Sequence, residues 1–322
     1  MIDAVLDLFV ALQGWILDQA VQPVLLALGL GSYLEVAFDG VEFFLFGALQ
    51  LTAAYLLLRP LEAWRPIEVW PDRKLVRTDV LYSFLDRLGI IPLAVFALLA
   101  PFFIELESWM RNHDIIPPQL EDWFPGLENR PMLSFLIYLL VLDFSQYWNH
   151  RLAHTFRWWW ALHAIHHSQT QMSLWTDSRN HLLDSLIGGV WFALVALLVG
   201  VPPGHFVGLI VATQLVENLS HVNARLRFGR LGEALLVSPG YHRWHHALAL
   251  PPGEKYRYGC NFAILFPIWD KLFGTQYRNE AMPATGLPHD PQAGAVVAHG
   301  FWQQQKDGLV DLLAALRLRR RR

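Results

Sequence analysis

The chain has 322 residues, of which 54% are hydrophobic and only 16% charged. Soluble domains carry about 25% charged residues, so the composition excludes an ordinary soluble protein and fits an integral membrane protein with one sizeable extramembrane part. The net charge of −3 gives no sign of a nucleic-acid partner, and the single cysteine, Cys260, excludes an intrachain disulfide or a thiolate cluster.

No Lys or Arg precedes Arg59. The positive n-region of a secretory signal is therefore missing, and the apolar N-terminus is expected to be retained. Val5–Leu34 is apolar but broken by Asp18, Pro23, Gly29 and Gly31; it reads as a further span or as a pair of short interfacial helices. Five later segments approach the roughly 20 residues that cross about 30 Å of hydrocarbon: Val41–Leu58, Leu88–Phe103, Met132–Trp148, Leu183–Val201 and Phe206–Leu219.

The loop 59–87 carries Arg59, Arg65, Arg73, Lys74, Arg77 and Arg87, whereas 105–130 is mainly acidic. By the positive-inside rule the first is cytoplasmic and the second external. His150 then ends one span, His181 begins the next and His221 follows the third, so all three are expected on one, cytoplasmic, face. His205 falls at the opposite turn. The C-terminal segment "DGLVDLLAALRLRRRR" reads as an amphipathic helix with a basic end, suited to an anionic leaflet, or as a frayed tail.

Histidine is concentrated in three places. His150 and His154 are four apart, which stacks both rings on one helical face. His163, His166 and His167 repeat that spacing, and so do His242, His245 and His246. Neutral imidazole suits Zn, Cu, Fe and Ni. Eight imidazoles exceed what one four-coordinate zinc needs, and with His181 and His221 the pool of ten would serve two metals with about five each. The Glu-x-x-His carboxylates of ferritin-like bundles are missing. A single helical histidine pair is more often a surface or capping feature, and His113, His289 and His299 are assigned to that class.

Asp143 lies inside a presumed span, where an ionisable group is expensive and usually functional. It is a candidate to accept a ligand imidazole's other N–H, with pairing to a neighbouring helix as the alternative. Asn223 after His221, and Asp177, Arg179 and Asn180 beside His181, are candidates for the same supporting role or for helix ends. Trp158–Trp160 read as an interfacial anchor or a wall for substrate, and an apolar channel for an alkyl or sterol body is expected beside the metals.

The pattern HX3H (150–154), HX2HH (163–167) and HX2HH (242–246), with "HVN" (221–223), "YGCNF" (258–262) and "WDKLFGT" (269–275), resembles the signature of the fatty acid hydroxylase/sterol desaturase superfamily. The resemblance covers roughly residues 75–276. It implies an all-α, polytopic membrane bundle with a cytoplasmic helical cap carrying a histidine-rich dimetal site. It also implies a non-haem di-iron oxidoreductase that uses O2 and two electrons to hydroxylate or desaturate a lipid of sterol or fatty-acyl type. The eight box histidines become iron ligands; His221 matches a further family histidine, and His181 is an additional candidate. This chain departs from the pattern at Arg225, where some members carry a second histidine, and in "PPGEKYRYG", which lacks the Asp-Asn usual before Tyr-Gly. Both departures leave the substrate subgroup open.

The expected organisation is therefore an N-terminal membrane part with its basic loop (1–74), the histidine-box domain (75–276) and a cytoplasmic tail (277–322). No dinucleotide fingerprint or iron–sulfur cysteine set is encoded. Electrons would come from a separate donor, of ferredoxin or cytochrome b5 type with its reductase. Alternatives are an ether-lipid monooxygenase of the alkylglycerol type and a zinc-dependent membrane hydrolase, zinc also being a possible occupant after purification. The hydrolase lacks an H-E-x-x-H motif. A metal transporter would place its ligands along the spans, not at their ends.

Overall fold

The computed structural model describes residues 2–201, 203–287 and 300–319, and among these it is helical without a named strand. The first helix, α1 (Ile2–Ile16), continues through a π-helical turn, Leu17–Val21, into α2 (Gln22–Ala27). The apolar stretch left undecided by sequence is thus helical, and Leu6–Ala27 is long and apolar enough to cross a membrane. The same holds for Gly31–Trp64, which contains α3 (Leu34–Trp64), for α5 (Ile90–Asn112) and for α9 (Leu182–Val199). Nothing in the apolar window of α5 is buried inside the protein, and Phe96, Leu98 and Ile104 are all more than half exposed. Such a surface requires hydrocarbon around it.

Between them, α4 (Lys74–Arg87) runs back along α3. The two helices touch at Gly47, where a Cβ would stand 1.6 Å from the Arg87 carbonyl oxygen; only glycine permits that approach. The expected spans at 132–148 and 206–219 form within α7 (Pro131–Thr155) and α10 (Pro203–His221). Neither is among the four described helices long and apolar enough to cross a membrane; one face of α7 is buried, while Met132, Leu136 and Leu140 stay exposed. Tyr138, Leu139 and Leu142 of α7 pack with Leu209 of α10 and Leu265, while Phe192 and Val195 of α9 close the cluster.

The remaining helices form the part that carries the histidines: α8 (Arg157–His167), the short α11 (Gly229–Leu235), α12 (Pro239–His245) and α13 (Ile268–Leu272). The last, α14 (Phe301–Arg319), starts before the amphipathic segment read from sequence and is neither a frayed tail nor free of the domain. It docks along α8 and α4. Gln304 accepts from the Tyr82 hydroxyl at 3.0 Å, Gln305 donates to that hydroxyl at 2.8 Å and accepts from the Leu182 N–H at 2.8 Å. Gly308 lies so close to His181 that a Cβ there would meet the ring at 2.6 Å. Leu309, Val310, Leu313 and Leu316 remain exposed on its outer side.

A buried polar knot fixes the segment between α8 and α9. The Asp79 carboxylate accepts from Arg179 Nη1 (2.6 Å), Gln169 Nε2 (2.7 Å) and Thr176 Oγ1 (3.0 Å), and Arg179 Nε donates to the Ile165 carbonyl at 2.9 Å. With Asp79 and Arg179 both fully buried, each charge is kept only because the other and its hydrogen bonds are present. The C-terminal turn of α8, which bears three histidines, is held by this knot.

Candidate metal centre

Nine of the ten proposed histidines come together, in two groups. His150, His154, His163, His167 and His245 form one; His166, His221, His242 and His246 form the other. Within each group one ring nitrogen per residue lies within 4.8 Å of all the others, and every member is buried. The helical period decides the division. In α8 the i, i+4 pair His163/His167 faces the group of five and His166 turns to the group of four. At α12 the pair His242/His246 faces the group of four and His245 the group of five. Each of these two boxes thus contributes to both groups, in opposite proportions.

The spacing and chemistry fit metal ions. His221 Nε2 is 3.3 Å from His166 Nε2 and 3.0 Å from His242 Nε2, which is 3.1 Å from His246 Nε2. Ligand nitrogens about 2.1 Å from one ion stand about 3.0 Å apart at a right angle and about 3.4 Å apart at the tetrahedral angle. In the group of five, the Nε2 atoms of His154, His163, His167 and His245 are buried with no hydrogen-bond partner in the protein. Buried polar atoms are nearly always satisfied; four unpartnered ring nitrogens converging in this way could hold a metal ion.

The opposite edge of each ring is held. His150 Nδ1 bonds the Phe262 carbonyl (2.9 Å), His154 Nδ1 the Tyr258 carbonyl (3.1 Å) and His245 Nδ1 the Cys260 carbonyl (2.8 Å). Alternate carbonyls of "YGCNF" therefore orient one ring each, placing the proton on Nδ1 and the lone pair on Nε2. The segment is itself propped by Asp270 of the "WDKLFGT" run, which accepts from Phe262 N (2.8 Å), Ala263 N (2.9 Å), Thr275 Oγ1 (2.6 Å) and the Tyr241 hydroxyl (3.0 Å). His221 Nδ1 bonds the Glu217 carbonyl at 2.7 Å, with an Asp177 carboxylate oxygen 4.0 Å away. His163 Nδ1 donates to Asp184 at 2.9 Å, and the same carboxylate accepts from Trp159 Nε1 at 2.7 Å. Asp184 was missed in the sequence because it lies outside the boxes; its position three residues after His181, in the first turn of α9, was the available signal.

Several sequence candidates have other positions. His181 is outside both groups: its Nε2 bonds the Gln305 carbonyl at 2.9 Å and its Nδ1 accepts from Leu183 N at 3.0 Å as the N-cap of α9. With both nitrogens engaged, it leaves the ligand set. Asp143 touches no imidazole. Its carboxylate accepts from Leu265 N (2.9 Å), Phe266 N (3.1 Å) and Trp269 Nε1 (2.8 Å), pinning the chain just after "YGCNF" to α7. Asn223 brackets Glu68, accepting from its N–H at 3.1 Å and donating to its carbonyl at 2.7 Å, which fastens the loop after α3. Arg179 belongs to the Asp79 knot, Asn180 donates to the Asp177 carbonyl at 3.5 Å, and Asp177 pairs with Arg87 and accepts from Asn218 at 3.0 Å. Of the tryptophans, Trp159 is buried on Asp184 and Trp160 stacks 4.8 Å from His154. His113 is exposed and bonds the Trp109 carbonyl; His289, His299 and the side chain of His205 lie outside the described set.

Burial, reinforced by the neighbouring His163, pushes the His150 imidazole down to about 3. Burial and mutual repulsion hold His154, His166, His167, His242, His245 and His246 well below the ordinary range. The folded state thus keeps these rings neutral while the unfolded chain protonates them near pH 6.5. Their contribution to stability is complete above that value and is lost progressively as the pH falls below about 6.5. Chelator-treated protein is therefore expected to melt at a clearly lower temperature at about pH 5 than at about pH 7.5; equal melting temperatures would contradict it.

Residues 135–275 match the family model for fatty acid hydroxylase. The ornithine lipid hydroxylase OlsE of Rhizobium tropici is 32% identical over 166 residues, 52% of this chain and 47% of that protein. The alkylglycerol monooxygenase of Homo sapiens is 31% identical over 150 residues, 47% of this chain and 32% of its own length. A very-long-chain aldehyde decarbonylase of rice is 30% identical over 147 residues, 44% of this chain and 54% of its own. Residues 135–275, which carry the histidines, are similar to the fatty acid hydroxylase family. The chain spans between about a third and about half of the length of these relatives, and no solved structure matches it. All nine clustered histidines lie inside the matched region, as do Asp184 and the segment 258–275 that orients them.

The cavity beside the centre departs from the apolar channel expected from the sequence. Its volume is about 200 Å³, and it opens on His150, His163, His166, His221 and His242. Gln146, Asn149, Asn180, Ser185 and Glu217 line the rest, and Ile264 is the one aliphatic side chain on its wall among the described residues.

Proposed function

We propose that this chain is an O2-dependent, non-haem di-iron oxygenase that hydroxylates or desaturates a membrane lipid. The observation that carries the reading is the pair of adjacent all-imidazole groups, five and four, with buried ring nitrogens aimed inward and unpartnered. His150, His154, His163, His167 and His245 would hold one iron, and His166, His221, His242 and His246 the other. Bound iron supplies the activation of O2 that oxidation of an unactivated C–H bond requires. For hydroxylation the overall change consumes O2, two electrons and two protons, placing one oxygen atom in the C–H bond and releasing the other as water.

The protein's own residues prepare that chemistry. Three backbone carbonyls and Asp184 hold the rings of His150, His154, His245 and His163, so none of them must turn to bind. Burial keeps the imidazoles neutral and water scarce. The domain doing this is taken to run over 75–276, since α4 supplies the Asp79 and Arg87 that brace the segment around Asp177 and Arg179. The basic loop 59–87 supports a cytoplasmic histidine face by the positive-inside rule, within reach of a separate one-electron donor protein. The likeness to alkylglycerol monooxygenase favours ether-lipid cleavage as the second reading.

Iron-loaded protein incubated with membrane lipid, an electron donor and isotopically heavy dioxygen tests this. A product carrying one heavy oxygen atom, or a new double bond formed with consumption of O2, is expected. Oxygen arriving from water instead would support a zinc hydrolase and overturn the reading.

A further inference from the structure

We infer that the substrate is a polar lipid whose small headgroup sits in the cavity on the histidines, and that the carbon oxidised adjoins that headgroup. This rests on the oxygenase reading and narrows it to a substrate class. Oxidation of a mid-chain carbon or a sterol ring would call for a hydrocarbon-lined slot against the metals. The cavity there is walled by amides, hydroxyls and carboxylates, with Ile264 alone among aliphatic side chains. Asn149 Nδ2 is buried with no partner in the protein, and an unpaired buried donor costs about 1–3 kcal/mol. A hydroxyl, ether or ester oxygen of a ligand would satisfy it, and Glu217 offers an acceptor to a ligand hydroxyl or amine. The volume of about 200 Å³ falls below the roughly 300–1,000 Å³ that drug-sized ligands fill, which suits a small headgroup better than a fused ring system.

A place for the chain lies next door. A second cavity of about 260 Å³ is lined by Phe43, Phe46 and Gly47 of α3 and by Ile210 and Val211 of α10, with Asp39, Glu42, Gln50, Gln214 and Arg87 as its polar residues. Gln214 in this cavity and Glu217 in the first are three residues apart on α10, on one face. The wall between the cavities is the ion pair of Arg87, which lines the second, with Asp177, which lines the first. An amphiphile with its chain between α3 and α10 and its headgroup beyond Arg87 presents its linkage region, not its chain end, to both metal groups. Arg87 Nε, buried 3.7 Å from the Asp86 carboxylate and without a hydrogen-bond partner, would be free to donate to a linkage oxygen.

The test uses the full chain in lipid nanodiscs, loaded with zinc so that binding is read without oxidation. Displacement of radiolabelled palmitoylglycerol is measured with unlabelled palmitoylglycerol, hexadecane and cholesterol as competitors. Palmitoylglycerol is expected to compete at least about tenfold better than either apolar probe, the worth of one to two hydrogen bonds. Asn149→Leu and Glu217→Leu, each checked for unchanged zinc content, should shrink that preference, whereas Ile210→Trp should weaken palmitoylglycerol and hexadecane alike by filling the chain cavity. Equal competition by hexadecane or cholesterol, or a preference that survives both polar substitutions, would overturn the inference. The two readings fail separately. Iron-loaded protein that oxidises only chain ends or sterols sinks this inference and leaves the oxygenase standing; selective binding without incorporation of heavy oxygen does the reverse.

Discussion

His245→Ala is expected to remove at least one metal per chain and to abolish lipid oxidation. His245 is the one residue of its box in the group of five, and its ring packs 4.3 Å from His150, 4.7 Å from His154 and 4.6 Å from His167. Alanine deletes a nitrogen donor and leaves the four remaining rings around a void that water can enter. Losing an outer partner of a metal ligand costs about 10–100-fold in affinity or activity, so loss of the ligand itself should exceed that. His246→Ala makes the matching prediction for the group of four. Metal analysis and heavy-oxygen turnover read both; two metals per chain with undiminished turnover in either variant would remove that histidine from the centre.

Asp270→Ala should act on the same centre without touching it. The carboxylate gathers four donors from three parts of the chain, including the backbone of Phe262 and Ala263. Its removal leaves those donors buried and unpaired, for a loss of about 3 kcal/mol or more. The segment 258–262 then loses its prop, and with it the carbonyls that aim His150, His154 and His245. The expected result is a lower melting temperature together with metal affinity reduced by about 10–100-fold, partly rescued in Asp270→Asn, which keeps the shape and one acceptor. A variant that is destabilised but binds metal at full affinity would show that the carbonyls do not set the rings.

The histidine boxes were legible because the helical period converts spacing directly into a shared face, and the spans in α3, α5 and α9 because their length and apolarity are local properties; 132–148 and 206–219 are helical but fall short of a span among the described residues. The division of the nine rings between two groups was not legible. It depends on how α7, α8, α10 and α12 meet, and the opposite splits at 163–167 and 242–246 have the same local pattern. His181 was misread for a related reason: at the head of a helix, a capping imidazole and a ligating one have the same sequence context, and only the arrival of Gln305 from the far end of the chain separates them. Asp143 and Asn223 are buried polar residues near the boxes, but their partners are backbone groups of Leu265, Phe266 and Glu68, far away in sequence. Asp184 escaped notice because nothing in its neighbourhood repeats. The polar wall of the cavity was equally hidden, since Asn149, Asn180 and Glu217 come from separate segments and face one another only after packing.

The most direct measurement is the metal content per chain, with Mössbauer spectroscopy, of protein purified anaerobically from cells fed the Mössbauer isotope of iron. Two coupled irons per chain are expected from the groups of five and four imidazoles. A single zinc, or protein that folds fully and holds no metal, would contradict the dinuclear oxygenase.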